Sequence, residues 1–336
     1  MQAKKRKLFY SAVGAMVAFS LLLLSGCARL EIKMGARVPL NMLQVTAMEA
    51  SLAKNPAIAP GEKASLVVQF NGADGKVWKT EGAGGGKILW SDLTVTGSVV
   101  AVSKKGVVSL AHDPRKSDGK TGQVTVTAPS HPDLHAVLDI PLRYNIRYRA
   151  DFSGTNGSNG LDGSAGSNGF DGSVGSIDLT NPSAGGNGGD GGNGGDGQDG
   201  GNGSDAASVQ VTLTPHPGLQ QLIEVCVAVA GHKNRFYLID PQGGSLAVNA
   251  NGGDAGHGGS GGRAGRGGMG GAGSPNGMSG HDGLAGHAGH DGLAGRGGLI
   301  TVIYDSAAKP WLGVLRLSSV NGPGPIYREQ PVPPLW

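Results

Sequence analysis

His281, His287 and His290 offer the widest chemistry in this chain, and they stand beside Asp282 and Asp291. Imidazole with carboxylate can hold a metal ion or relay a proton. The three histidines fall at multiples of three from one another. On an extended threefold helix rising ~3.1 Å per residue, His287 and His290 share an edge but sit ~9 Å apart. That is too far to share an ion without an adjacent chain, so the expectation is a solvated surface for a partner. Asn156, Asn159, Asp162, Asn168 and Asp171 form a second polar row with the same period, expected on that surface too.

Asp190 and Asp196 close two Gly-Gly-Asn-Gly-Gly-Asp hexads at 185–196, a spelling similar to the start of the calcium-binding nonapeptide repeat. That repeat has period nine and a large apolar residue at position eight; here the period is six and glycine stands at position eight. Asp190 and Asp196 therefore stay weak calcium candidates, and no other metal or cofactor is expected. Gly258-Gly259-Ser260-Gly261-Gly262 spells a hydrolase elbow but lacks the strand-to-helix setting that motif needs. Gly84-Gly85-Gly86-Lys87 fails as a phosphate loop, because Glu81 and Ile88 occupy positions that need glycine and Ser/Thr. There is no zinc spacing and no paired-carboxylate arrangement, so no enzyme is expected.

These residues are carried by glycine. Glycine recurs at every third position from 154 to 175, from 185 to 203, from 253 to 271 and from 277 to 298. Three is the period of the polyproline II helix, in which one edge would be bare glycine and backbones could approach closely. Segments two and three carry a second column of mostly Gly or Ala, which places them inside; segments one and four belong at the periphery. Ser176–Ala184 and Ser274-Pro275-Asn276 supply turns for two antiparallel hairpins. A flexible glycine linker has no need of phase. A collagen trimer would normally carry proline in its columns, and Pro275, at a break, is the only proline inside the registers. The expected arrangement is an intramolecular bundle, similar to the polyglycine II bundles of some antifreeze proteins and phage tail-fibre tips.

The rest of the chain alternates as short strands. Residues 64–70, 87–90, 98–102, 106–110, 123–127 and 137–142 read as strands of one sandwich spanning 45–143. The turn Asp74-Gly75-Lys76, then Trp90-Ser91-Asp92, "VAVSKKGVVSL" at 100–110 and "GQVTVTAP" at 122–129 resemble bacterial immunoglobulin-like domains of the second group. That resemblance implies a spacer or adhesion module. Stretches at 144–152, 209–214, 222–229, 235–240, 245–248, 299–304 and 312–317 read as a second sandwich, 144–336, with glycine-rich insertions at 154–205 and 252–298. The expected fold class is all-β. Cys226 falls in the 222–229 strand, where a small buried hydrophobe is expected.

The amino terminus describes an export signal: Lys4-Lys5-Arg6-Lys7, an apolar run over 8–24, then Leu24-Ser25-Gly26-Cys27. Leu-Ser-Gly-Cys resembles the lipobox of bacterial lipoproteins. The resemblance implies removal of residues 1–26, diacylglycerol and an acyl chain (palmitate in kind) on Cys27, and a lipidated linker over 27–44. Ala28 in place of Asp implies sorting to the outer membrane. The formal charge is +3 and those four basic residues supply +4, so the processed chain is near −1. That balance gives no footing for nucleic-acid binding. The sequence thus leads to a lipid-anchored structural or adhesive protein meeting a glycan, matrix or envelope partner, as a monomer or an oligomer of unassigned size. A periplasm-facing scaffold and a carbohydrate-active or calcium-binding surface protein are the alternatives.

Overall fold

The structure, a computed structural model, describes residues 37–219 and 221–336. The signal segment 1–26, Cys27 and the first part of the 27–44 linker lie outside the described residues. The described chain is mostly β and divides after Tyr144 into two compact units.

The first unit holds β1 (Val45–Leu52), β2 (Lys63–Gly72), β3 (Val77–Lys79), β4 (Thr94–Ser98), β5 (Val100–Val102), β6 (Val107–Leu110), β7 (Gly122–Ala128) and β8 (His131–Ile140). One sheet runs β1-β2-β6-β5, with β3 paired to β2; the other runs β4-β7-β8. Both feed one apolar core that includes Leu66, Val68, Phe70, Trp90, Val124 and Val126. β7 shows the cause, burying Gly122, Val124, Val126 and Ala128 while Gln123, Thr125 and Thr127 face away. Residues 98–102 do not form one strand. Val99 takes φ 69°, and there the chain leaves β4 in one sheet for β5 in the other. Lys87–Trp90 is not a strand either. Ile88 makes two isolated bridges, and Trp90–Asp92 form a 3-10 turn. The turn is held from outside: Trp90 Nε1 donates to Glu81 O at 3.2 Å, and Asp92 Oδ2 accepts from Leu40 N at 3.0 Å. Leu40 is fully buried in this core, so packed structure begins before residue 45.

The second unit holds β9 (Arg147–Asp151), β10 (Val209–Pro215), β11 (Ile223–Val229), β12 (Arg235–Ile239), β13 (Ser245–Asn249), β14 (Ile300–Tyr304), β15 (Leu315–Ser318) and β16 (Ile326–Glu329). Its sheets run β12-β11-β10-β14-β16 and β15-β13-β9 around a second core. β11 is buried on both faces, Cys226 included, which is why it reads as a continuous apolar run. The outer face of β10 and β11 is covered by the end of the described chain: Thr214 Oγ1 of β10 donates to Val332 O at 3.2 Å, and Leu335 N donates to Glu224 Oε2 of β11 at 2.7 Å. Leu312–Val314, read as strand, ends a 3-10 helix, Ser306–Val314, whose start is capped by Asp305 Oδ1 accepting from Ala307 N at 2.9 Å.

Two parallel pairings position the glycine segments. Asp151 of β9 pairs with Asn249 of β13, an offset of 98 residues, and Val209 of β10 pairs with Ile300 of β14, an offset of 91. β9 and β13 run directly into glycine segments one and three, while β10 and β14 receive segments two and four.

Candidate functional site: the glycine-threaded segments

Glycine at every third position leaves an N–H that a neighbouring backbone can reach. The amides of Gly154, Gly157 and so on to Gly175 donate to carbonyls of segment three, from Asn251 to Ala272, at 2.7–2.8 Å. The row Gly185 to Gly203, with Ala206, donates to segment four, from Pro275 to Arg296, at 2.8–2.9 Å. The adjoining row of segment two, Gly186 to Ser204, donates to segment one at 2.7–2.9 Å. Gly253 to Gly271 donate to segment two at 2.8–3.0 Å, and Gly277 to Gly295 donate to segment three at 2.8–2.9 Å. Residue numbers rise together in pairs one–three and two–four and run oppositely elsewhere. Segments two and three each bond to three neighbours; segments one and four each bond to two.

The spacing is close enough to demand glycine. A Cβ at Gly163 would lie 1.9 Å from Gly195 O, and at Gly262 1.9 Å from Ser164 O. The second row of segment two is looser. A Cβ at Gly195 would lie 3.0 Å from Ser164 Oγ and 3.2 Å from Ser164 N, and this is the row in which Gln198 and Ser204 already stand.

The polar rows do a job that their residue types alone did not announce. Asn156, Asn159, Asp162, Asn168 and Asp171 each turn a side-chain oxygen onto a backbone amide of segment three, at Asp254, His257, Ser260, Arg266 and Met269, over 2.7–3.0 Å. Asn187, Asp190, Asn193, Asp196, Asp199, Asn202 and Asp205 do the same for segment four, at Met278, His281, Leu284, His287, His290, Leu293 and Arg296, over 2.6–2.9 Å. The first ladder has an offset of 98 and the second 91, the offsets of the two parallel strand pairings below them. The sheets set the phase of the ladders. Asp190 and Asp196, the weak calcium candidates, are thereby rungs, and the surface row in segment one is a set of rungs whose other faces remain exposed.

Ala165 interrupts the first ladder opposite Arg263. Ala165→Asn is expected to supply the missing acceptor and raise unfolding free energy by about 0.5–1 kcal/mol, and Asn193→Ala to lower it by a similar amount. Chemical denaturation of the two variants checks both signs.

The carboxylate rungs differ from the amide rungs in one respect. Asp196 is held below the ordinary carboxylate pKa, first by the backbone N–H of His287 and then by its ring; Asp291 is held down first by the Gly258 amide, at 2.8 Å. A depressed folded pKa contributes stability that is present above the unfolded value, near 3.8, and is lost as pH falls through the folded one. The amide proton shifts of His287 and Gly258 should therefore move as pH falls below about 4. Those of Leu284 and Leu293, bonded to Asn193 and Asn202, should not. NMR titration of the amides reads this directly.

The histidines point outward. His287 Nδ1 lies 3.3 Å from Asp196 Oδ1 with its side chain 93% exposed, and His257 Nδ1 lies 3.6 Å from Asp291 Oδ1. Among the described residues no group of three or more His, Cys, Asp or Glu converges on a point that could hold an ion. A buried pair sits in the scaffold instead, unsignalled by any motif. His216 Nδ1 accepts from Gly218 N and Leu219 N, both at 3.0 Å, and its Nε2 lies 4.0 Å from Glu224 Oε1. No protein-family model matches this chain, and no curated protein matches it.

Proposed function

We propose that the second unit presents an intramolecular polyglycine II bundle, a rigid non-catalytic platform on a lipid-anchored outer-membrane protein. The observation that carries the reading is the shared offset of sheets and ladders. A bundle whose phase is set by a folded sheet is built to keep its shape, since the sheet has already closed the loops. A flexible linker would not need such matching. The exposed faces of the Asn/Asp rows, His281, His287 and His290, and the turn tips are what the platform offers to a partner, a glycan, matrix or envelope protein. The first unit serves as an immunoglobulin-like spacer of the second bacterial group.

Export and lipidation rest on the sequence, on Leu24-Ser25-Gly26-Cys27 after a basic start and an apolar run. Two acyl signals anchor stably where one does not. Cys27→Ser should abolish incorporation of labelled palmitate and release the protein from the membrane fraction; retained label would remove the anchor from the reading. Protease added to intact cells should digest the glycine-rich unit. Protection until lysis would place it facing the periplasm and favour an envelope scaffold over adhesion.

A further inference from the structure

The outer face of the β15-β13-β9 sheet holds a cleft of about 390 Å³, and no residue of the glycine segments lines it. Strand alternation makes this face. Ala150, Leu246, Val248 and Leu315 turn into the core, which leaves Arg147, Ser245 and Arg316 on the opposite side. Ser245 is paired with Arg147, and Arg316 is paired with Ala247, two residues farther along β13. Strand spacing and rise put the Cα atoms of the two arginines about 12 Å apart, on either side of a floor of small side chains. Pro241, together with Pro310 and Trp311 of the 3-10 helix, adds apolar rings to the lining.

What this cleft lacks is an acceptor. No carboxylate lines it. Arg149, the next residue on the same face of β9, is held by Asp151, whereas neither Arg147 nor Arg316 makes an ion pair among the described residues. Ser245 is only 8% exposed, yet among the described residues its hydroxyl has no hydrogen-bond partner, and neither has the indole N–H of Trp311. A hydroxyl so deeply buried is ordinarily bonded. Two guanidinium groups, an indole N–H and a hydroxyl form a donor set, which calls for an anion rich in acceptors. Flat apolar rings beside such donors match a sugar, whose C–H face covers a ring while its hydroxyls accept. A bare phosphate would use the arginines and leave the indole and the prolines idle. A peptide strand would find no backbone to join on the floor, because β13 is paired on both sides.

We propose that this cleft binds an acidic sugar unit, a pyranose carrying a carboxylate. The carboxylate lies between Arg147 and Arg316, a ring hydroxyl meets Ser245 Oγ, and a C–H face of the ring lies on Trp311. The site goes beyond the platform reading and stands without it, since every residue it uses belongs to the sheet and to the 3-10 helix beside it.

The test titrates the full chain with trisaccharides of galacturonate and of mannuronate and with sialyllactose, each beside its neutral methyl ester. Calorimetry reads affinity, and the indole N–H resonance of Trp311 reads the place. Expected are binding of at least one acidic sugar, a shift of the Trp311 indole signal, and no binding of the matching ester. Arg147→Gln and Arg316→Gln should each weaken that binding about tenfold or more. Trp311→Ala should weaken it too, and Lys233→Gln, an exposed change away from the cleft, should leave it unchanged. Circular dichroism confirms that each variant is folded. Failure of all three acidic sugars to bind the folded chain would overturn the proposal, as would an ester that binds equally well or arginine variants that bind like the parent. Displacement of the sugar by an equal concentration of inorganic phosphate would overturn it in favour of a phosphate site. Binding of hexaglutamate with the same affinity would overturn it in favour of an acidic peptide. Lost sugar binding with the segment amides still protected from exchange leaves the platform standing; unprotected segment amides with sugar binding intact remove the platform and leave the cleft.

Discussion

Gly262→Ala should lower the melting temperature of the second unit by roughly 5–10 °C, while Gly195→Ala should leave it within about 2 °C. Both glycines lie near the middle of their glycine segments, and neither has the positive φ that would strain alanine. What differs is the neighbour. At Gly262 the methyl would lie 1.9 Å from Ser164 O, 2.6 Å from Ser164 C and 3.0 Å from Gly163 O, all backbone. Relief requires segments one and three to part, and Gly163 N→Ser260 O and Gly166 N→Arg263 O part with them. Overpacking a close-fitted interior costs about 1–3 kcal/mol, and lost hydrogen bonds add to it. At Gly195 the methyl would lie 3.0 Å from Ser164 Oγ, which can rotate away, and 3.2 Å from Ser164 N, which a shift of a few tenths of an ångström relieves. Alanine there also restricts the unfolded chain, which offsets the crowding by about 0.4–1 kcal/mol. Thermal melts followed by circular dichroism separate the two. Equal melting temperatures would mean that the segments do not pack at these distances.

One residue inserted between Gly163 and Ser164 should be far more damaging than a Gly-Ser-Asn triplet added to the Ser176–Ala184 turn. The single insertion moves Gly166, Gly169, Gly172 and Gly175 off their carbonyls and brings side chains to places where a Cβ would meet backbone oxygen at 1.9–2.3 Å. Four such collisions at about 1–3 kcal/mol each reach the whole stability of an ordinary domain, about 5–15 kcal/mol. The distal part should therefore detach from segment three rather than bear the strain. The triplet lengthens a surface turn without changing phase and should cost less than about 1 kcal/mol. Amide exchange at Arg266 and Met269, whose N–H groups donate to Asn168 and Asp171 of segment one, should become fast in the first variant and stay slow in the second. Two variants with the same behaviour would remove phase as the organising constraint.

Phase was the feature most open to reading from sequence, because only glycine permits this approach and its spacing is therefore written in the chain. The additional Gly/Ala columns of segments two and three distinguished the segments with three bonded neighbours from those with two, for the same reason. The alternation in Gln123-Val124-Thr125-Val126-Thr127 likewise announced β7. The Asn/Asp rows were seen as rows, but an amide or carboxylate side chain does not announce whether its oxygen faces solvent or bends onto an adjacent strand. The missing information was the offset, which lives in the pairing of β9 with β13 and of β10 with β14, far away in sequence. Lys87–Trp90 misled because Trp90 and Asp92 are held by Glu81 and Leu40, contacts that no local pattern encodes. Ile326–Glu329 carries no alternation, since all four residues of β16 are exposed.

Hydrogen exchange of assigned backbone amides in the full chain is the sharpest probe of the platform, because the bonding pattern gives each segment its own signature. In segment one only every third amide should be slow, Gly157, Gly160 and Gly163 among them, with Ser158 and Ser164 fast. In segment two the pairs Gly188–Gly189 and Gly191–Gly192 should be slow, and Asn187 and Asp190 fast. In segment four Gly283–Leu284 and Gly286–His287 should be slow, and Ala285 and Ala288 fast. A packed bundle must show this one-in-three and two-in-three alternation. Uniformly fast exchange through all four segments, as in a solvated linker, would refute it.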